Sequence, residues 1–173
     1  MDVSGVVVEA PVDPASKLFW GPRLWRMFHL LAEVSDRRDM FMLWGSAMRL
    51  TAATMPCEAC RNHLSTYLKS HMFVRFGRTQ VVTGELVKAR ARVELLNLHN
   101  DVNARLGKPT FTVEELATYS VSRGEALAEV SRLLEEIKAA WTPLVHTSVV
   151  GPAFSDWKKH LHMMLALARG GPL

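Results

Sequence analysis

Apolar residues in this 173-residue chain return at every third or fourth position in one segment after another, and no segment alternates convincingly with period two. That periodicity predicts an all-α fold. Phe19-Trp20-Gly21-Pro22 reads as a helix start, with Pro22 early enough that its missing N–H is harmless. Leu24, Trp25, Phe28, Leu31 and Ala32 follow in phase, and His29 shares a face with Trp25. Asp36 to Asp39 reads as a charged turn. A second helix is expected over Met40–Ala53, with Phe41, Trp44, Met48 and Thr51 or Ala52 inward, until Pro56 breaks it. A third runs from about Glu58 to Met72 with Leu64, Tyr67 and Leu68, and Phe73 to Thr83 reads as a connector. The fourth, about Glu85 to Leu106, presents Leu86, Val93, Leu96, His99, Val102 and Leu106, and Gly107-Lys108-Pro109 ends it. Thr112 and Glu115 have the spacing of a capping box for a short fifth helix through Tyr119. Ser122–Trp141 and Ser155–Ala168 are amphipathic, with Pro143–Pro152 as a linker between them.

Composition narrows the function. The length favours one domain with room for a core. Apolar residues at 49% are too many for a disordered chain. The net charge of +4 comes from scattered Lys and Arg, with no run of the kind that forms a nucleic-acid arm. No apolar run reaches the about 18 residues that a membrane span needs. Met1 to Lys17 starts with acidic Asp2, carries Pro11 and Pro14, and lacks the basic start and apolar stretch of a signal peptide. It reads as a loose tail, and a cytoplasmic protein is expected.

The chemistry sits in Pro56-Cys57-Glu58-Ala59-Cys60-Arg61-Asn62-His63, which holds both cysteines of the chain. Two cysteines cannot build a secreted-type disulfide framework, so a close CxxC points to redox chemistry or a metal. At a helix start the first sulfur lies near unpaired N–H groups and the positive end of the dipole, which favours thiolate. Arg61 adds positive charge. Other readings are two structural thiols, or a zinc site built from Cys57, Cys60, His63 and His99. A thioredoxin-like enzyme would need a strand before the CxxC, and none is visible. His99 and Asn103 lie four apart on one helix face, and asparagines are poor mid-helix residues because their amides compete with backbone bonds. With His29 and His63 they form a set of imidazoles and amides that could converge on a heteroaromatic ring.

Three motifs in order then resemble the Erv/ALR family of sulfhydryl oxidases, including its compact members from large DNA viruses. They are Trp20-Gly21-Pro22-x-x-Trp25-x-x-x-His29, Pro56-Cys57-x-x-Cys60-x-x-His63, and His99-Asn100-x-Val102-Asn103-x-x-Leu106-Gly107-Lys108-Pro109. The resemblance covers about Leu18 to Ser120. It divides the chain into a tail (1–17), an oxidase domain (18–120) and a C-terminal helical extension (121–173).

The resemblance implies a bundle of four to five helices around FAD, with extra C-terminal helices. Cys60 is the expected flavin-proximal sulfur, and Cys57 the one that exchanges with incoming dithiols, which requires the loop at Met55-Pro56 to be partly exposed. Trp25, His29, His63, His99, Asn100, Val102 and Asn103 would line or hold the cofactor. Lys108 would approach its phosphates or ribose, Gly21 would permit close approach, and Tyr119 is a weaker contact. A substrate thiolate would attack Cys57 through a mixed disulfide, and the electron pair would pass by way of Cys60 and FAD to O2, giving H2O2. The implied partners are dithiol proteins, directly or through a separate redox carrier, and a second copy in a homodimer. The implied place is the host-cell cytoplasm or the virion. Many members also carry a second, structural disulfide. Its positions here are about Leu96 and Val113, where packing is expected to replace the crosslink. His71, His146, His160 and His162 receive no role, the last pair being expected at the surface. A helical interaction protein, with or without zinc, and a flavin-free dithiol reductase or isomerase are the rival functions.

Overall fold

The computed structural model describes residues 11–71, 83–145 and 150–171. Seven helices lie among them: α1 (Lys17–Glu33), α2 (Met40–Thr54), α3 (Glu58–Ser70), α4 (Gly84–Arg105), α5 (Val113–Ala117), α6 (Arg123–Val145) and α7 (Gly151–Arg169). No strand occurs among the described residues, and no described helix is long and apolar enough to cross a membrane. Most of the connector expected from Phe73 lies outside the described residues, as do Met72 and His146.

Local chemistry sets the helix ends. Ser16 caps α1 by accepting the Leu18 N–H at 3.1 Å. The helix therefore begins at the last residue of the expected tail, and Pro22 sits inside it. Its missing hydrogen bond would have gone to Leu18, which is 70% exposed and can reach solvent instead. Thr112 and Glu115 form the expected capping box, with both reciprocal bonds present. A second reciprocal pair joins Ser122 and Glu125 at the head of α6. At the end of α4, Lys108 N–H reaches the Asn103 carbonyl at 2.9 Å while Gly107 takes φ 64°. That backbone arrangement is a Schellman motif, and it needs glycine at this position.

The linker expected from Pro143 is shorter than its prolines suggest. Helix α6 runs through Pro143 to Val145, because the bond it forfeits belongs to exposed Ala139. Pro152 falls in the first turn of α7, where a missing N–H leaves nothing unpaired.

Helix α6 lies along α1, α7 lies along α2, α3 packs against α2, and α4 against α1. One continuous core links α1 to α4 with α6 and α7. At its centre Trp20 meets Trp141 edge to face at 5.5 Å, and Trp141 packs on Trp157 at 4.9 Å. The C-terminal helices therefore extend the bundle.

The inward face of α4 differs from the expected one. Val87, Ala91, Leu95 and Leu98 are buried, whereas Leu86 and Val93 face solvent. Two contacts fix this rotation. A Cβ on Gly84 would stand 1.9 Å from the Asp36 carbonyl oxygen, so the first turn of α4 is seated against the α1–α2 turn. In addition, buried Glu33 draws Arg92 to 2.9 Å and Lys88 to 3.5 Å. Charged residues on the buried side break the apolar rhythm that the sequence reading relied on. The charged turn is itself tied down: Arg123 grips Asp36 at 2.8 and 2.9 Å, and Arg37 pairs with Asp39 and donates to the Gly171 carbonyl.

Candidate functional site

Between α1, α2, α3 and α4 lies a cavity of about 370 Å³. Its floor is apolar: Trp20, Leu24, Phe28, Met48, Leu64 and Leu98 line it and are buried. Its mouth carries exposed Lys17, Arg105 and Lys108 together with Leu18 and Leu106.

Cys57 and Cys60 form a disulfide. Cys57 is the N-cap of α3, and its sulfur accepts the Cys60 N–H at 3.2 Å. The first sulfur thus meets the helix-end amides anticipated from the sequence. Cys60, one turn into α3, is on the cavity wall, whereas Cys57 is not among the lining residues. Met55, expected to be partly exposed, is instead buried and lines the cavity, while Pro56 and Cys57 stay half-buried. Arg61 points its charge elsewhere than at the sulfurs, donating to the Met55 carbonyl at 2.7 Å.

Next to Cys60, His63 lines the cavity and holds Asp101 of α4 through Nε2 at 2.8 Å. Opposite, His99 is sandwiched between two flat rings, with Trp25 at 4.2 Å and 6° and Phe111 at 4.6 Å and 22°. His29 lies behind this layer, 1% exposed, with Nε2 3.1 Å from His99 Nδ1. Burial holds His29 down at about 3, with the neighbouring His99 adding to the effect. Burial also lowers His99 to about 4; Lys108 adds to this and Glu115 opposes it. Both rings are therefore neutral at neutral pH, which lets one nitrogen of the pair donate and the other accept. Burial raises Tyr119, which stacks on His29 at 4.8 Å. Tyr67, in the core beside α4, is raised to about 12 by burial and then by Glu94 and Asp101.

The cavity brings together Gly21, Trp25, Cys60, His63, His99, Val102, Asn103 and Lys108. His29 and Asn100 stand one layer back. Asn100 accepts the Phe111 N–H at 2.7 Å and donates to the Phe111 carbonyl at 3.0 Å, clipping the segment after Lys108 onto α4. Asn103 adds a bond to the Pro109 carbonyl at 3.0 Å. These amides do the tethering that packing of Leu96 and Val113 was expected to do, for Val113 is 64% exposed. Sequence reasoning did not assign Phe111, Met48 or Thr51 to the site. Thr51 was in phase on α2, but nothing in its spacing indicated a cavity.

A flat ring system with a charged tail fits this space. The buried apolar floor and stacked rings suit an aromatic ring, and the cations at the mouth suit phosphates. A Cβ on the cavity-lining Gly21 would meet no protein atom within 4 Å, leaving backbone exposed to a ligand there. Among the described residues no group of three or more His, Cys, Asp and Glu side chains converges as a metal site.

The Erv1 / Alr family model matches residues 22–121. Over 101 residues the chain is 27% identical to a protein of Invertebrate iridescent virus 6 named as an FAD-linked sulfhydryl oxidase, covering 57% of this chain and 86% of that one. Over 102 residues it is 34% identical to a similarly named protein of Frog virus 3 (isolate Goorha), covering 56% of this chain and 62% of that one. No solved structure gives a significant match.

Proposed function

The chain belongs to the Erv1/Alr family, and from that membership we propose that it is a flavin-linked sulfhydryl oxidase, forming disulfides in protein substrates through Cys57 and Cys60. The observation that carries the reading is the placement of the disulfide, with one cysteine on the cavity wall and the other outside it at a helix N-terminus.

The two sulfurs divide the work accordingly. A substrate thiolate attacks Cys57 Sγ, the S–S bond breaks, and a mixed disulfide forms on Cys57. Cys60 leaves as a thiolate on the cavity side. The substrate's second thiolate then attacks the mixed disulfide, releasing oxidised substrate and leaving Cys57 as thiolate, where the Cys60 N–H and the helix dipole stabilise its charge. Bound FAD would supply the two-electron acceptor: it would take the pair as the Cys57 and Cys60 thiolates close their disulfide again, and O2 would receive that pair with two protons, giving H2O2. The chain itself excludes water from the cavity floor, holds the neutral His29–His99 pair, and fixes His63 beside Cys60 through Asp101. Trp25, His63, His99, Val102 and Asn103 hold the ring portions, Lys108 the phosphates or ribose, and Gly21 leaves room. His29 and Asn100 act from behind. Substrate reaches Cys57 directly or through a separate redox carrier. The homodimer and the cytoplasmic or virion location rest on family resemblance.

The test is the visible spectrum of the purified protein before and after dithiothreitol in air. A flavin spectrum that bleaches with thiol and recovers with oxygen supports the reading. Cys60→Ala should keep the bound flavin and lose turnover. Full oxidase activity in Cys60→Ala overturns the mechanism. A protein that stays colourless with added FAD overturns the function and directs attention to zinc.

A further inference from the structure

The apolar floor of the cavity is backed by helices that lie beyond the residues matching the family. Thr51 of α2 lines the cavity and is 1% exposed. Its hydroxyl donates to the Ala47 carbonyl at 2.8 Å and accepts the indole N–H of Trp157, on α7, at 2.9 Å. A hydroxyl has one hydrogen, and this one is spent on the helix backbone. Thr51 therefore offers the cavity no donor. Trp157 has no freedom of its own: it is fully buried, with Trp141 at 4.9 Å and Phe154 at 5.8 Å. Trp141 of α6 also meets Trp20, a second floor residue, edge to face. Two sides of the floor are thus set by the C-terminal helices.

We propose that Trp157 is a positioning residue for the flavin cavity, acting through Thr51; the inference rests on the flavin reading above. Threonine in a helix divides between two rotamers. The Trp157 N–H selects one of them and keeps the Thr51 hydroxyl turned away from the ring-binding space. Without that donor, the side chain is free to take the other rotamer, whose hydrogen still bonds a helix carbonyl but whose oxygen turns an unpaired lone pair into an apolar slot built for a flat ring.

Trp157→Phe in the full chain keeps one aromatic ring in the core and removes the donor, along with part of the indole's volume. It should raise the Kd for FAD about tenfold and shift the absorption band of the bound flavin, both measured well below the melting temperature. Adding Thr51→Val removes the misdirected hydroxyl and should bring both readings back. His160→Ala is the control, because His160 also ties α7 to α2, with Nε2 2.8 Å from the Leu43 carbonyl, and Leu43 is not on the cavity wall. It should lower the melting temperature and leave the Kd for FAD unchanged. The unmodified protein gives an independent reading by NMR. On FAD addition the Trp157 indole N–H resonance should move, while that of Trp44, whose N–H is held by Ser35 at 3.0 Å, should not. An unmoved Trp157 resonance overturns the proposal even if Trp157→Phe does not fold. A parent Kd and spectrum in Trp157→Phe, or equal weakening by His160→Ala, overturns it as well. A parent protein that takes up no FAD overturns the functional reading itself, so the two failures are distinct.

Discussion

The rings around the cavity and the rings of the C-terminal helices are packed on different principles. Beside the cavity, Trp25, His99 and Phe111 lie nearly face on, and His29 and His99 need each other's nitrogens. In the C-terminal pair, Trp141, Phe154 and Trp157 pack at 4.9 to 6.2 Å, with the Lys158 ammonium over the Phe154 ring at 4.6 Å. The first arrangement is adapted to receive another ring and depends on protonation state. The second is an apolar core that sends the Trp157 N–H to Thr51. Stability is concentrated in one region and responsiveness in the other, yet the core joining them is continuous.

The hardest blow to that comparison is Trp141→Ala. Trp141 is fully buried and touches both regions, so its loss should cost ~3–5 kcal/mol in a denaturant titration followed by circular dichroism, as a single transition. Two transitions, with α1–α4 surviving to the parent midpoint, would separate the regions. Acid should come next and act unequally. The folded-state values of His29 and His99, about 3 and about 4, lie below the ordinary 6.5. The unfolded chain therefore takes up protons first, so their contribution is complete above pH 6.5 and is lost as pH falls toward 4 and then 3. Glu129 of α6 is lowered to about 2 by its hydrogen bond from Arg132, burial opposing and Arg26 assisting. Its contribution survives until pH drops below about 4.5. Melting temperatures between pH 7 and 4.5 should thus fall less steeply in a His29→Gln, His99→Gln variant than in the parent. The smallest effect expected is from Asn100→Ala, about 1–2 kcal/mol for two lost backbone bonds. Hydrogen exchange at the Phe111 amide should quicken while the amides around Trp157 keep parent rates.

Most helices were legible because period and caps agree, as at Thr112 and Glu115. A proline alone does not mark a helix boundary here. Pro22 and Pro143 sit inside helices because the carbonyls they leave free belong to exposed Leu18 and Ala139. The face of α4 is not legible from apolar spacing, because Lys88 and Arg92 lie toward Glu33 on the side that faces α1. Motif residues came together at the cavity, but no local signal separates a side chain that touches a ligand from one that holds its neighbour. Hence His29 and Asn100 stand behind the wall, and Thr51 stands in it. His160, expected at the surface, is half-buried because α7 lies close enough to α2 for its ring to reach the Leu43 carbonyl.

In the proposed cycle the chain must survive alternately with and without its one crosslink. Cys57 caps the helix start through the sulfur that accepts the Cys60 N–H, a bond that does not itself require the S–S link. Once the substrate's second thiolate has released the mixed disulfide, that acceptor is an anion, and an anion is a better cap. The bridge closes a span of only three residues in sequence, so its release frees little chain. Oxidised and reduced forms should then share one backbone, and turnover proceeds without a folding event between half-reactions.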